Sequence, residues 1–197
     1  MHKAYSVKGD VIILHRDLTA LDLFVRAFLA VLKKYSDYLV VSGYVSISTG
    51  RTRGTEDVDI LVPVMDRVTF DHFFKDLQKN KFWCYQGDSI DEIYPYIKSK
   101  MALRFAKVDE LFPNIECIPI DETKRVQYFE FKHPQKMKVN DFEFNATPLE
   151  FEILYKELVL GSEKDCADAQ HLRTLFSELL NDEKFAVFKK IIGGDKA

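Results

Sequence analysis

The run Asp57-Val58-Asp59-Ile60-Leu61-Val62, closed by Pro63, constrains this chain more than any other stretch. Its apolar residues read as a strand, and in a strand successive side chains alternate between faces, so Asp57 and Asp59 share one face while Val58 and Ile60 share the other. One face therefore belongs on a hydrophobic core. The opposite face opens with two like charges side by side, which repel each other and lose solvation if buried. Two arrangements accommodate them: a solvated sheet end, or compensation by bases or a cation. Carboxylate oxygens suit hard divalent ions such as Mg²⁺ or Mn²⁺. A third acid on a neighbouring strand would complete such a site. Glu116 is the candidate, because it interrupts the otherwise apolar run Asn114-Ile115-Glu116-Cys117-Ile118.

The pattern around this strand is one of alternating elements. Val11 to Leu14 reads as a short strand. Leu18, Leu21, Phe24, Val25, Phe28, Leu29 and Leu32 recur at helical spacing, which predicts a long amphipathic helix from Asp17 to about Leu39, capped by Asp17 or Thr19. Residues 42 to 56 lose both periods and read as a turn or short helix. Thr69 to Leu77 resumes the helical period. Lys81 to Gln86 reads as a strand, Ile90 to Ile97 as a turn or short helix, and Ala102 to Ala106 and Ile115 to Ile120 as two further strands. After Asp121 only the alternation Phe142-Glu143-Phe144 is clear. Pro148 then opens a helix through Leu160, Gly161 interrupts it, and Lys164 to Leu180 and Glu183 to Ile192 supply two more; Gly193-Gly194 and the charged tail should fray. Strands alternating with helices imply an α/β or α+β fold, a sheet covered by helices, without selecting its topology.

Composition narrows the class. The 197 residues are 47% hydrophobic and 30% charged, with few Gly or Pro, as expected of an ordered globule with a sizeable core. Charge breaks every apolar run well before the roughly 18 to 20 residues that span a bilayer, and no signal-peptide pattern opens the chain, so a cytoplasmic location with no membrane association is expected. Cys84, Cys117 and Cys166 are odd in number and far apart, which indicates neither a disulfide framework nor a zinc site. A formal net charge of −3 makes no global electrostatic case for nucleic acid. His72, His133 and His171 lack partners at zinc spacing, with His171 placed to reach a cleft near Asp168. Lys132, Lys136 and Lys138 read as a solvated loop.

Residues 40 to 62, VVSGYVSISTGRTRGTEDVDILV, resemble the signature of the DNA polymerase β-like nucleotidyltransferase superfamily, in particular its minimal branch of toxin and abortive-infection nucleotidyltransferases. In that branch two small residues follow an apolar element, and a glycine, an arginine and a threonine lead into an Asp-hydrophobic-Asp strand. Here these are Ser42-Gly43, Gly50, Arg53, Thr55 and Asp57-Val58-Asp59. A second segment, residues 148 to 175, is similar to the family's C-terminal part, where a lysine-bearing helix precedes Lys-Asp-x-x-Asp; Lys156, Lys164, Asp165 and Asp168 fill those places. Three departures stand out. Ser42 replaces a frequent glycine, Tyr44 stands where serine is common and would narrow the approach to Ser42, and Glu116 replaces the usual third aspartate.

The resemblance implies a mixed sheet flanked by helices, divided into a nucleotidyltransferase-like core, residues 1–147, and a C-terminal helical region, residues 148–197, that packs on it and completes the cleft. It implies transfer of a nucleoside monophosphate from a nucleoside triphosphate to a hydroxyl on RNA, protein or a small molecule, with pyrophosphate released. Asp57, Asp59 and Glu116 would hold Mg²⁺ or Mn²⁺. Ser42, Gly43, Arg53, Thr55 and Lys156 would contact the nucleotide, with Asp165 and Asp168 orienting Lys156 or part of the acceptor. The toxin-like branch also implies an antitoxin-like protein partner. A catalytically weak relative that binds nucleotide or another protein is the alternative. The Walker sequence is absent, and so is Gly-x-Ser-x-Gly, which excludes those two chemistries as the source of a site.

Overall fold

A computed structural model describes residues 3–194 of the chain. Its centre is β4 (Asp57–Pro63), flanked by β3 (Leu39–Val40), antiparallel to it, and by β7 (Asn114–Ile120), parallel to it. Beyond β7 lie β6 (Leu103–Lys107) and then β5 (Phe82–Cys84), both antiparallel to their neighbours. On the other side β3 pairs in parallel with β9 (Phe142–Ala146), followed by β8 (Gln135–Val139), β2 (Val11–Leu14) and β1 (Tyr5–Lys8). The result is one mixed sheet in the order β1-β2-β8-β9-β3-β4-β7-β6-β5, with helices against it.

The alternation in β4 sets the layers. Val58, Ile60 and Val62 are buried in the main core with Phe28 of α1 (Ala20–Leu32), Phe70 and Phe73 of α3 (Arg67–Lys79), and Phe105 of β6. Phe28 meets Phe82 edge-on, with ring centroids 5.3 Å apart. Each such fully buried side chain contributes about 1.5 to 3 kcal/mol. Ile93 and Ile97 of α4 (Ile90–Lys98) join this core. Leu61 faces the other way and clusters with Leu39, Val41, Ile120 and, from α5 (Arg125–Phe131), Tyr128 and Phe131. Further along that side α6 (Leu149–Tyr155) packs Phe151 and Leu154 against Phe188 and Ile192 of α8 (Asp182–Gly193).

Several elements depart from expectation. The first helix starts at Ala20, where Thr19 and Asp22 form a capping box, and stops at Leu32, the last residue of its apolar stripe, well short of Leu39. Helix α6 ends in a single π turn, Lys156–Leu160, closed by left-handed Gly161, whose N–H bonds the Lys156 carbonyl. The next helix, α7 (Glu163–Leu175), stops five residues before Leu180. Strand β1, helix α5 and strand β8 had no counterpart in the sequence reading. Lys136 and Lys138 belong to β8, alternating with buried Met137 and Val139, and so do not form a loop. Helix α8 takes in Gly193, with Gly194 as its cap, and the tail beyond, expected to fray, lies outside the described residues.

Candidate metal centre

The register of β4 and β7 places Asp59 opposite Glu116 and Asp57 opposite Asn114. Parallel neighbours about 4.8 Å apart bring same-face side chains together. One carboxylate oxygen each from Asp57, Asp59 and Glu116 accordingly lies within 4.8 Å of the others. Their surroundings differ. The Thr55 hydroxyl donates to the Asp57 carbonyl at 2.8 Å and lies 3.4 Å from the Asp57 carboxylate, so it holds the residue that opens the strand. Burial pushes Asp59 up to about 6, the charge of Asp57 adds to this, and the Ser42 hydroxyl works against it by donating to the carboxylate. Glu116 Oε2 accepts two bonds from Arg104, at 2.8 Å from Nη2 and 3.1 Å from Nε. Arg104 is opposite Glu116 in the β6/β7 register. Among the described residues no lysine or arginine forms an ion pair with Asp57 or Asp59. Three converging carboxylates, two without a paired cation, are a donor set that fits a hard divalent ion.

Ser42 and Gly43 lie next to this centre, at the start of the short helix α2 (Gly43–Ser48). Ser42 holds the unusual conformation φ 62°, ψ −138°, and its N–H donates to Glu152 Oε2 at 3.3 Å. Gly43 leaves room for Arg53: a Cβ there would lie 2.0 Å from the guanidinium Nη2, so the end of that side chain would have to shift. Arg53 thus lies directly on the backbone of Gly43 and continues to Asp168 Oδ2 at 3.1 Å. Tyr44 does not narrow the approach to Ser42. Its ring is fully buried, and its hydroxyl donates to Asp22, which Arg16 also grips. Burial alone would raise Asp22, but those bonds hold it at about 2.

Lys156 is fully buried. Its Nζ lies 3.3 Å from Glu152, 3.4 Å from Asp165 and 3.2 Å from Asp168. Its burial among three carboxylates rules out an exposed helix charge. Burial works against its charge, but Glu152 and Asp168 hold the ammonium above its ordinary pKa. Asp168 is shared with Arg51 and Arg53, and Asp165 accepts from Ser162, the cap of α7. His171 pairs with Thr49 at 3.1 Å. Cys84 and Cys117 are buried and Cys166 is exposed, all three free.

The structure adds residues that spacing did not single out: Arg104 on Glu116, Glu152 between Ser42 and Lys156, Arg51 on Asp168, and Glu130 on α5. Glu152 stands one helical turn before Lys156, a spacing at which an acid and a base meet, and that was the one local signal for it. Burial lifts Glu152 to about 7 and Glu130 to about 8. Between α5, α6 and the sheet, the face that carries Asp59 continues into a cavity of about 210 Å³.

No family model matches the chain, and no curated protein matches it. Solved structures similar to it include two nucleotidyltransferase-related proteins. One is an antigenic nucleotidyltransferase-like protein from Paracoccidioides brasiliensis, 16% identical, with 83% of this chain and 79% of that chain covered and a TM-score of 0.49. The other is the antibiotic-resistance factor ANT(2'')-Ia, 12% identical, with 88% of this chain and 91% of that one covered and a TM-score of 0.47. At such scores activity and substrate have to be read from the side chains. No helix of the described residues is long and apolar enough to cross a membrane.

Proposed function

We propose that the chain is a metal-dependent nucleotidyltransferase: an acceptor hydroxyl oxygen bonds to the α-phosphorus of a nucleoside triphosphate, the bond to the bridging oxygen breaks, and pyrophosphate leaves. The observation that carries this reading is the convergence of Asp57, Asp59 and Glu116 within 4.8 Å on two paired strands. These three would hold Mg²⁺ or Mn²⁺, which supplies neutralisation of phosphate charge and a lowered acceptor pKa. Arg104 fixes the longer arm of Glu116, and Thr55 fixes the start of β4. Ser42 and the backbone at Gly43 would receive phosphate oxygens, with Arg53 supplying positive charge behind them. Lys156 acts on the same place through its field, which works to lower the Asp59 carboxyl. Asp165 and Asp168 keep that lysine in position. Glu152 accepts the Ser42 N–H and pairs with Lys156, and so ties the turn at Ser42 and Gly43 to the buried lysine. In this reading the helices from Leu149 onward close the cleft over the core, and the acceptor belongs to RNA, protein or a small hydroxyl compound.

One observation favours the second reading, a binding module of weak activity: Arg104 already satisfies the third acid with two hydrogen bonds. Incubation with each α-labelled nucleoside triphosphate, Mg²⁺ or Mn²⁺, and separate pools of RNA, proteins and metabolites decides between them. Transfer of label by the parent and not by Asp59→Asn supports the enzyme and identifies the acceptor class. Nucleotide binding without label or pyrophosphate in any pool selects the binding module.

A further inference from the structure

A second concavity, separate from the cavity beside Asp59, opens between α1 and the loop from Lys107 to Pro113. At about 750 Å³ it falls within the roughly 300 to 1,000 Å³ of whole small-molecule sites. Ala20, Leu23, Phe24 and Ala27, at helical spacing on α1, form one wall, and Phe112 and Pro113 belong to the other. Arg53, Gly54 and Thr55 line it as well. The Thr55 hydroxyl lies 3.4 Å from the Asp57 carboxylate, so the groove reaches the edge of the carboxylate centre.

The loop wall is pinned from behind. The Trp83 indole N–H donates to the Lys107 carbonyl at 3.0 Å and to the Glu110 carbonyl at 3.1 Å, and the Tyr85 hydroxyl donates to the Leu111 carbonyl. The two rings stack with centroids 4.7 Å apart. Phe112 is thereby held 54% exposed across from Leu23, itself 52% exposed. Large apolar side chains gathered in the open around one groove mark a binding surface. Its charges disfavour a polyanion. Lys107 Nζ donates to the Asn80 carbonyl at 2.9 Å and lies 3.7 Å from the centre of the Phe82 ring, while Arg53 is paired with Asp168. Glu110, which also lines the groove, forms no ion pair among the described residues. A nucleic-acid acceptor needs lysines and arginines free to neutralise its phosphates, and both cations here are already engaged. One donor is left over: the buried Arg53 Nε makes no hydrogen bond, and an unpaired buried N–H calls for an oxygen.

We propose that this groove seats the acceptor, and that the acceptor is an uncharged small molecule with an apolar body and a hydroxyl group. The body lies between α1 and Phe112, and the hydroxyl comes to the Arg53–Thr55 end, beside Asp57. The proposal rests on the nucleotidyltransfer reading. In that step the hydroxyl oxygen bonds to the α-phosphorus and its proton goes to solvent, while the bond to the bridging oxygen breaks and pyrophosphate leaves with the electron pair. Mostly apolar walls with a few polar groups at one end are what orient such a molecule. An anionic body would meet Glu110 and the carboxylates without a free cation to offset them.

Calorimetry and transfer assays in Mg²⁺ test this with naphthylethanol, an uncharged alcohol on a fused-ring body, against sorbitol, a short single-stranded RNA and a pool of proteins. Naphthylethanol is expected to bind at least about tenfold tighter than sorbitol, and to receive label from α-labelled nucleoside triphosphates. Leu23 is half-exposed on the wall, so Leu23→Gln is expected to fold normally and to weaken naphthylethanol about fivefold, with the affinity for a nonhydrolysable nucleoside triphosphate unchanged. Leu23→Met, which keeps the wall apolar, is expected to stay within about twofold of the parent. Naphthylethanol that binds no tighter than sorbitol, or equally well to Leu23→Gln and the parent, overturns the groove alone. Label that moves to RNA, protein or sorbitol and not to naphthylethanol overturns it too, and leaves the transferase reading standing. Naphthylethanol held in the groove with no label moved to any acceptor overturns the transferase reading and the acceptor role together.

Discussion

Two clusters of carboxylates lie on either side of Ser42, and they are built in opposite ways. Glu152, Asp165 and Asp168 close around Lys156 and draw in Arg51 and Arg53, so nearly every charge has a partner inside the protein. Asp57, Asp59 and Glu116 converge as tightly, yet Arg104 on Glu116 is the one cation paired with them among the described residues. The first cluster is complete in itself and holds α6, α7 and the Arg51–Arg53 loop together. The second remains short of positive charge, and that shortfall is its capacity for a ligand. Burial pushes Asp59 up, whereas Glu152 and Asp168 hold Lys156 in its charged form against its burial, which is the same contrast expressed in protonation.

The largest effect should come from breaking the closed cluster. Lys156→Met keeps the length of the side chain and leaves Glu152, Asp165 and Asp168 without their shared ammonium. Loss of one partner of a buried pair costs about 3 to 5 kcal/mol. Urea denaturation should show a loss of that size; a loss under about 1 kcal/mol would mean that Arg51 and Arg53 neutralise the cluster by themselves.

The matching change in the open cluster should have the opposite sign for stability. Asp59→Asn removes a carboxylate whose folded pKa, about 6, lies above its ordinary 3.8. Folding therefore favours the protonated form, and the stability this gives is fully present below about pH 3.8 and lost as pH rises through 6. In metal-free buffer at pH 8 the variant should melt above the parent, with the two converging near pH 4. Transfer should fall by about 100- to 1,000-fold, the scale of losing one preorganised electrostatic contact, and Mn²⁺ should no longer raise the melting temperature. A variant that stays metal-stabilised would place the ion elsewhere.

The contrast between these clusters was only half legible in the sequence. A period of two put Asp57 and Asp59 on one face, and a charge inside an apolar run singled out Glu116; strand registers then brought all three together. Lys156 was found through a resemblance, but its burial was invisible, because a lysine on an amphipathic helix reads as solvent-facing until the packing of α7 against it is known. Glu130 was hidden for a different reason: α5 is only seven residues long, set between Glu122-Thr123-Lys124 and Lys132-His133-Pro134, too short to establish a helical period. Tyr44 was misread because its hydroxyl partner, Asp22, is 22 residues away. The fold class follows from alternating periods, whereas the order of nine strands depends on long-range pairing that no local pattern contains.

Glu130 supplies a third, smaller comparison. Burial lifts it to about 8 from 4.5, and no cation offsets this as Lys156 does for Glu152. By the same linkage its contribution to stability is complete below about pH 4.5 and declines as pH rises to 8. Glu130→Gln should therefore raise the melting temperature at pH 8, change it little at pH 4.5, and flatten the profile between them. A variant that melts lower at pH 8 would show that Glu130 is held by a charge partner after all.

The smallest effect is expected where the two clusters are most alike, at Arg104. Its pair with Glu116 is half-exposed, with side-chain accessibilities of 46% and 20%, so solvent screens it and its removal should cost no more than about 1 kcal/mol. The consequence for an incoming ion is separate from that cost. Arg104 occupies Oε2 of Glu116 and adds a positive charge beside the carboxylates, so it opposes a second cation while holding the acid in place. Removing a unit charge a few ångströms away in a half-solvated setting changes a divalent interaction by about 1 kcal/mol, a several-fold change in affinity. Arg104→Met should accordingly bind Mn²⁺ several-fold more tightly by paramagnetic titration, with the largest gain at low salt, where the charge is least screened. Weaker binding at every ionic strength would mean that the guanidinium serves Glu116 chiefly as a splint, and that this open cluster, like the closed one, depends on an internal cation to keep its shape.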